Sequence, residues 1–197
     1  MKISGLSPAC ENNKAPILEQ LIHAFAQVSQ VLEIGSGTGQ HALHFAPRLP
    51  HLLWQTSDLP YNHALIEAVI NQCESSNIAP PLALDLGAPW PVTQVDGIFT
   101  ANTLHIVSAE LVRAFFIGVS KHLSEAGVLC IYGPFNYNGQ HTSPSNAQFD
   151  VQLRQRDPSS GIRDQEWVVE LAAAAGLTLS ADVPMPANNR LLHFVRG

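Results

Sequence analysis

The stretch VLEIGSGTGQH, residues 31–41, decides the fold of this chain. An apolar run interrupted by Glu33 leads into glycines at positions 35, 37 and 39, and a helical pattern begins at Gln40. This order predicts a strand, a tight turn and a helix, in which bare glycine backbone and free helix N–H groups form a ligand pocket. A dinucleotide fingerprint would place its third glycine at position 40, so Gln40 disfavours a nicotinamide cofactor.

The composition predicts one folded domain over residues 1–197. Hydrophobic residues make up 46% of the chain and charged residues 13%, and the formal net charge is −6. Because an acidic chain lacks the basic surface that neutralises phosphates, a nucleic-acid substrate is disfavoured. Cys10, Cys73 and Cys130 are too widely spaced for a disulfide framework or a zinc site, and no apolar leader opens the sequence. We therefore expect a cytoplasmic protein that binds no membrane.

Apolar runs and helical patterns alternate along the chain. The expected parallel strands are 31–34, 52–56, 81–84, 95–100 and 127–132, and a closing hairpin pairs 178–183 with 190–195. Pro16 is expected to open a first helix after a polar lead over residues 1–16. The pattern predicts an α/β fold, a Rossmann-like, doubly wound, seven-stranded and mostly parallel sheet with a C-terminal antiparallel hairpin and helices on both faces.

Polar side chains follow the predicted strands at the edge where a doubly wound sheet binds its ligand. Asp58 ends the second strand, where it can accept hydrogen bonds from two ribose hydroxyls or simply cap the next helix. Asp85 ends the third strand and Asn102 follows the fourth. Each can contact the ligand, or else form hydrogen bonds that only stabilise its own loop. An unperturbed histidine can take a proton near neutral pH, so His105 is the first candidate for a general base, with a structural histidine as the alternative.

Residues 133–164 form a long polar stretch that we expect to be a substrate-side insertion. Its arginines, Arg154, Arg156 and Arg163, offer forks suited to a carboxylate or phosphate, although a solvated lid with internal salt bridges is equally consistent with the pattern. His141 in this stretch is the second candidate base. No metal site is predicted, because His41 and His44 share a helix face without an evident third ligand.

The spelling E-x-G-x-G-x-G from Glu33 to Gly39 resembles motif I of the class I S-adenosylmethionine (SAM) methyltransferases. A closer resemblance covers nearly the whole chain. Its motifs are SPACENNKAPIL (7–18), LEIGSGTGQHA (32–42), WQTSD (54–58), the pair Asn102 and His105, GPFNYNGQHTSPSNAQFD (133–150), RDPSSGIRD (156–164) and PANN (186–189). Together they resemble an uncharacterised methyltransferase-like family formerly labelled a domain of unknown function.

The resemblance implies SAM as the cofactor and S-adenosylhomocysteine (SAH) as the product. It places the amino-acid part of SAM at motif I, the ribose at the second strand, the adenine at the third and the sulfonium beside the fourth. The N-terminal segment over residues 1–30 would fold over the cofactor as a lid and helix. The cofactor-binding residues implied are Glu33, Gly35, Ser36, Gly37, Gly39, Asp58, Asp85, Leu86, Ala101, Asn102 and Asn13.

These observations predict a SAM-dependent methyltransferase that acts on a small polar or anionic acceptor by in-line displacement. His105, or else His141, would remove the acceptor proton. The alternative is a non-catalytic module that binds SAM or SAH within a protein complex, because a fold does not fix a function. A nicotinamide-dependent oxidoreductase is a weaker third possibility. The oligomeric state is expected to be a monomer or a homodimer.

Overall fold

The structure is a computed structural model that describes residues 7–197. The helices are α1 (Pro8–Ala24), α2 (Gln40–Phe45), α3 (His63–Ile70), α4 (Ala109–His122), α5 (Pro144–Arg156) and α6 (Gln165–Ala174). The strands are β1 (Gln30–Ile34), β2 (Leu53–Asp58), β3 (Ile78–Ala83), β4 (Val95–Ala101), β5 (Leu123–Gly133), β6 (Phe135–Asn136), β7 (Arg163–Asp164), β8 (Leu177–Met185) and β9 (Asn189–Arg196). None of the helices in this part of the chain combines the length and the apolar character that a membrane span requires.

The strands β1 to β5 form the parallel part of a seven-stranded sheet, whose order is β3-β2-β1-β4-β5-β9-β8. The hairpin of β8 and β9 closes the sheet, with β9 antiparallel to β5. The predicted fold class is therefore confirmed. The strand order reverses between β1 and β4, and at such a switch point the loops that leave the two strands diverge and open a crevice.

Apolar side chains on the two faces of the sheet build two separate cores. On one face Phe115 of α4 and Val168 of α6 pack against Leu129 of the central strands. On the other face Leu21 of α1 and Phe45 of α2 pack against strand residues that include Trp54 and Phe99. These buried layers hold the strand ends in fixed positions, which is what a binding site at that edge requires.

The first helix begins earlier than predicted. Ser7 is its N-cap and Pro8 occupies its first turn, so Pro16 lies inside the helix and the expectation that it opens the helix was wrong. Proline fits the first turn because its missing N–H would be unpaired there, and Pro8 satisfies that rule as well as Pro16 does. Burial of Asn13, Ile17 and neighbouring apolar residues compensates the hydrogen bond that Pro16 cannot make. Residues 1–6 of the predicted polar lead over residues 1–16 lie outside the described residues.

The long polar stretch after β5 is folded. The short strands β6 and β7 pair in parallel as a separate small sheet, and α5 lies between them in sequence with Ser143 as its N-cap. The third strand also differs from its prediction, because it starts at Ile78 and runs through two prolines. Since β3 is an edge strand, the missing N–H groups of those prolines do not interrupt a central ladder.

Candidate functional site

A cavity of about 440 Å³ lies at the carboxyl ends of the parallel strands. Its walls come from the glycine turn after β1, from the end of β2, from the loop after β3 and from the loop after β4. The predicted site residues that line the cavity are Gly35, Ser36, Gly37, Asp58, Asp85, Leu86, Ala101 and Asn102. The fold brings these residues together although the first and the last of them are far apart in the sequence.

The glycine turn is built from backbone that other residues rarely adopt. Gly35, Gly37 and Gly39 all have positive φ angles, of 73°, 59° and 76°. A Cβ atom at Gly35 would lie 2.9 Å from Oγ1 of Thr103, and one at Gly39 would lie 3.3 Å from the carbonyl oxygen of Ile66. A Cβ atom at Gly37 would meet only the Gly35 carbonyl oxygen, at 4.0 Å. Gly35 and Gly39 therefore pack against neighbouring residues, whereas the space beside the Gly37 Cα atom is open to a ligand.

Glu33 supports the glycine turn from behind the cavity wall. Its side chain is buried, and Oε2 accepts hydrogen bonds from Oγ of Ser36 at 2.8 Å and from Nε1 of Trp54 at 3.0 Å. Burial, helped by the nearby charge of Asp58, raises the pKa of Glu33 to about 7. Glu33 does not line the cavity, so its contact with the cavity passes through Ser36, which does.

Asp58 connects the end of β2 to the glycine turn. Its Oδ2 accepts a hydrogen bond from the Gly37 N–H at 2.7 Å, and Oδ1 accepts from the Leu59 N–H at 2.7 Å and from Nδ2 of Asn62 at 2.9 Å. A carboxylate offers about four lone-pair positions, so Asp58 keeps acceptor capacity for a ligand hydroxyl. Its side chain thus joins the glycine turn to the second strand, as does Ser36, whose Oγ accepts a hydrogen bond from the Ser57 N–H at 3.1 Å.

Asp85 and Asn102 mark the other two strand ends. Asp85 is exposed at the cavity, and its Oδ1 accepts a hydrogen bond from the Gly87 N–H at 2.8 Å. Asn102 has a φ angle of 58°, and its N–H donates to the Tyr132 carbonyl oxygen at 2.8 Å. A non-glycine residue in left-handed conformation is uncommon, although Asn tolerates it best, and such residues concentrate at functional sites. The strand end thus holds the Asn102 side chain at the cavity.

Neither predicted base lines the cavity. His105 is buried behind its wall, with its ring 5.5 Å from the ring of Phe149, and burial together with the Arg163 charge lowers its pKa to about 4. His141 lies on the surface, where its Nε2 is 3.9 Å from Oδ2 of Asp150. The catalytic role of either histidine stays a prediction, which the geometry of this structure does not support.

Asn13 and His41 form a buried pair that sequence reasoning missed. Asn13 was predicted to bind the cofactor but does not line the cavity. Its side chain is buried, and its Oδ1 lies 2.8 Å from Nε2 of His41. An amide oxygen only accepts, so this contact fixes the His41 tautomer with the proton on Nε2 and leaves Nδ1 as an acceptor. Burial lowers the pKa of His41 to about 4, so the ring is neutral. His41 itself lines the cavity, and its early position in α2 was the only available sequence signal.

Gln40 fastens the start of α1 to the glycine turn. Its Oε1 accepts hydrogen bonds from the Ser7 N–H at 2.6 Å and from Oγ1 of Thr38 at 2.8 Å. Its Nε2 donates to Oε1 of Glu11 at 2.8 Å and to the Ser7 carbonyl oxygen at 3.4 Å. Ser7 and Cys10 line the cavity, so this single side chain, only 4% exposed, fixes one of its walls.

Replacing Gln40 with Ala should release the start of α1. Removing a buried side chain that joins several partners is expected to lower the free energy of unfolding by about 2–3 kcal/mol. Urea denaturation measures that loss, and faster hydrogen–deuterium exchange over residues 7–16 would locate it. Gln152→Ala, an exposed change on α5, is the control. Equal exchange over residues 7–16 in the two variants would show that Gln40 does not hold this segment.

Two of the three arginines of the polar stretch form hydrogen bonds within the chain. Arg154 donates through Nε to Asp150 at 2.9 Å, and Arg163 donates to backbone carbonyl oxygens, whereas Arg156 is exposed. None of the described residues 133–164 lines the cavity. Among residues 7–197, no group of three or more His, Cys, Asp or Glu side chains is placed to hold a metal ion.

The sheet order, the closing hairpin and a glycine-turn cavity at the strand ends define the Rossmann-like fold of SAM-dependent methyltransferases. The chain is similar to an O-methyltransferase family protein from Burkholderia thailandensis, with a TM-score of 0.83, 17% identity and coverage of 93% of this chain and 56% of that one. It is also similar to the SAM-dependent methyltransferase SibL in its apo form, with a TM-score of 0.80, 20% identity and coverage of 95% and 55%.

A third similar structure is PigF with SAH, with a TM-score of 0.79, 15% identity and coverage of 92% of this chain and 55% of that one. The chain thus spans just over half the length of the solved proteins that it matches. At such identities these likenesses establish the fold alone. The family model described as a protein of unknown function, DUF938, matches residues 4–196, and the chain belongs to that family. This match confirms the family resemblance predicted from the sequence.

Proposed function

We propose that the cavity binds SAM and that the protein transfers its methyl group to a small polar acceptor. The observation that carries the proposal is the cavity itself, because Gly37, Asp58 and Asp85 all line it. Glycine backbone admits the close approach of a ligand, and carboxylates accept hydrogen bonds from hydroxyl and amino groups. SAM carries such groups on its ribose and its adenine.

The chain's own residues divide the binding task. The lining residues Gly35, Ser36 and Gly37 would hold the amino-acid part, with the neutral His41 ring in the same wall. Asp58 accepts from the ribose hydroxyls, and Asp85 with the Leu86 N–H meets the adenine. Ala101 and Asn102 border the reacting end of the cavity.

When bound, SAM supplies a methyl group made electrophilic by its sulfonium. Transfer of that methyl group to a lone pair of the acceptor would leave SAH as the product and would release the acceptor's proton. The protein contributes alignment, through the strand ends, and exclusion of water. Because neither His105 nor His141 lines the cavity, this proposal does not assign the acceptor proton to either histidine.

The hydrogen bonds of the arginines bear on the charge that we propose for the acceptor. An anionic acceptor was expected because of the arginine forks over residues 133–164, but Arg154 and Arg163 bind partners within the chain. We therefore propose a polar acceptor without requiring a negative charge. The position of both histidines outside the cavity also favours the second candidate function, a module that binds SAM or SAH without catalysis.

Isothermal titration of the protein with SAM, SAH and NAD in parallel tests the binding step. We expect SAM and SAH to bind with Kd values of about 1–100 μM and NAD to give no binding heat. No heat from SAM and SAH would contradict the proposed function. Incubation with SAM labelled in its methyl group and a metabolite extract then separates the two candidates, since only an enzyme transfers the label to an acceptor.

A further inference from the structure

The segment Ser160–Arg163 donates hydrogen bonds to the carbonyl oxygens of four consecutive residues, 104–107, in the loop after β4. Nε of Arg163 donates to the Leu104 oxygen at 3.0 Å, and its Nη2 donates to the Val107 oxygen. The Gly161 N–H donates to the His105 oxygen at 2.9 Å, and Oγ of Ser160 donates to the Ile106 oxygen. We call these contacts the carbonyl clamp. The four carbonyl oxygens of residues 104–107 are therefore all bound by this one segment.

The clamped loop is a wall of the cavity. Ile106 and Val107 line the cavity, and Ile106 is 55% exposed. Both residues lie between β4 and α4, outside any helix or strand. The N–H groups of both residues donate to the Thr103 carbonyl oxygen, at 2.9 and 3.2 Å, which leaves the loop's carbonyl oxygens for outside partners. Since unpaired carbonyls favour solvent, the loop depends on the clamp for its position.

The clamp is itself anchored in the polar stretch. Oδ1 of Asp150 accepts a hydrogen bond from the Ile162 N–H at 2.6 Å, and Nδ2 of Asn136 donates to the Ile162 carbonyl oxygen at 3.4 Å. Gly161 has a φ of 147°, a backbone conformation that strains residues with a side chain, so this position favours glycine. These contacts connect α5 and the small β6–β7 sheet to the cavity wall.

We propose that Arg163 is a positioning residue, which sets the cavity wall for the bound ligand without touching that ligand. Residues 133–164 then act on the site from behind the wall formed by residues 104–107. The planar guanidinium of Arg163 donates to several carbonyl oxygens at once, including that of Ser159 at 2.9 Å. Hydrogen bonds from a charged donor are stronger than those between neutral groups. The identity of the ligand as SAM or SAH rests on the proposed function, whereas the clamp does not.

Three variants test the proposal. Arg163→Lys keeps the charge but loses the fork, Ser160→Ala removes one donor, and Arg156→Lys makes the same exchange at an exposed arginine near the clamp. Exchange of the amides over residues 101–111 is followed without ligand. Isothermal titration with SAH gives the Kd, and thermal unfolding gives the Tm.

For Arg163→Lys we expect about tenfold faster exchange over residues 101–111 and about tenfold weaker SAH binding, with a Tm drop of roughly 5 °C or less. Ser160→Ala should show smaller changes in the same direction, and Arg156→Lys none. A lower Tm with an unchanged Kd would overturn the positioning role, because a purely structural residue gives that result. Unchanged exchange would overturn the clamp itself. If the wild-type protein fails to bind SAH, the proposed function fails, and exchange still decides whether the clamp holds the loop.

Discussion

Replacing Asp58 with Asn is expected to weaken SAM binding by about 100-fold or more, since each hydrogen bond to a charged group contributes about 1.5–3 kcal/mol. The carboxylate has two effects on the cavity: it keeps acceptor capacity for ligand hydroxyls, and it accepts the Gly37 N–H at 2.7 Å. An Asn amide group turned toward Gly37 places two donors against each other, so the glycine turn loses its support as well. Isothermal titration with SAM measures the change in Kd.

Asp96→Asn is a matched control for this change. Asp96 also accepts hydrogen bonds from three donors, the Ser29 N–H, the Ser29 hydroxyl and the Gln30 N–H, but it lies near the amino end of β4, at the edge of the sheet away from the cavity. Both variants lose a comparable set of charged hydrogen bonds and should unfold at similar urea concentrations. Equal SAM affinity in the two variants would contradict the assignment of Asp58 to the ligand.

Replacing Glu33 with Gln should make the protein more stable at alkaline pH. Burial raises the pKa of Glu33 from 4.5 to about 7 in the folded state, so between these values the folded chain holds a proton that the unfolded chain has lost. The free energy of unfolding of the wild type therefore falls as the pH rises through this window. Gln has no such titration, and at pH 8 the variant should be more stable by about 3 kcal/mol.

Urea denaturation at several pH values between 5 and 8 measures this difference. At pH 5 the two proteins should be close, because a Gln oxygen can accept the same hydrogen bonds from Ser36 and Trp54. Glu125→Gln provides the control, since the Glu125 side chain is 81% exposed and its pairing with Arg196 is screened by solvent. Parallel stability curves for the wild type and Glu33→Gln would mean that Glu33 is ionised in the folded protein throughout this range.

Local patterns were sufficient for most of the fold. The strand predicted over residues 95–100 corresponds to β4, and the hairpin of β8 and β9 follows from two apolar runs around PANN. The start of α1 was wrong because Pro8 and Pro16 give the same local signal. Only burial of Asn13 and its neighbours, which depends on the rest of the fold, decides between them.

The sequence by itself determined the glycine turn, the order of strands and helices, and the acids at the strand ends, because each depends on residues close together in the chain. The tertiary structure alone decided what lies behind the cavity. Gln40 bonds to Ser7, Asn13 to His41, and Arg163 to the loop after β4, across separations of 33, 28 and up to 59 residues. Such contacts leave no periodic pattern, since they arise only after packing has brought distant segments within hydrogen-bond reach.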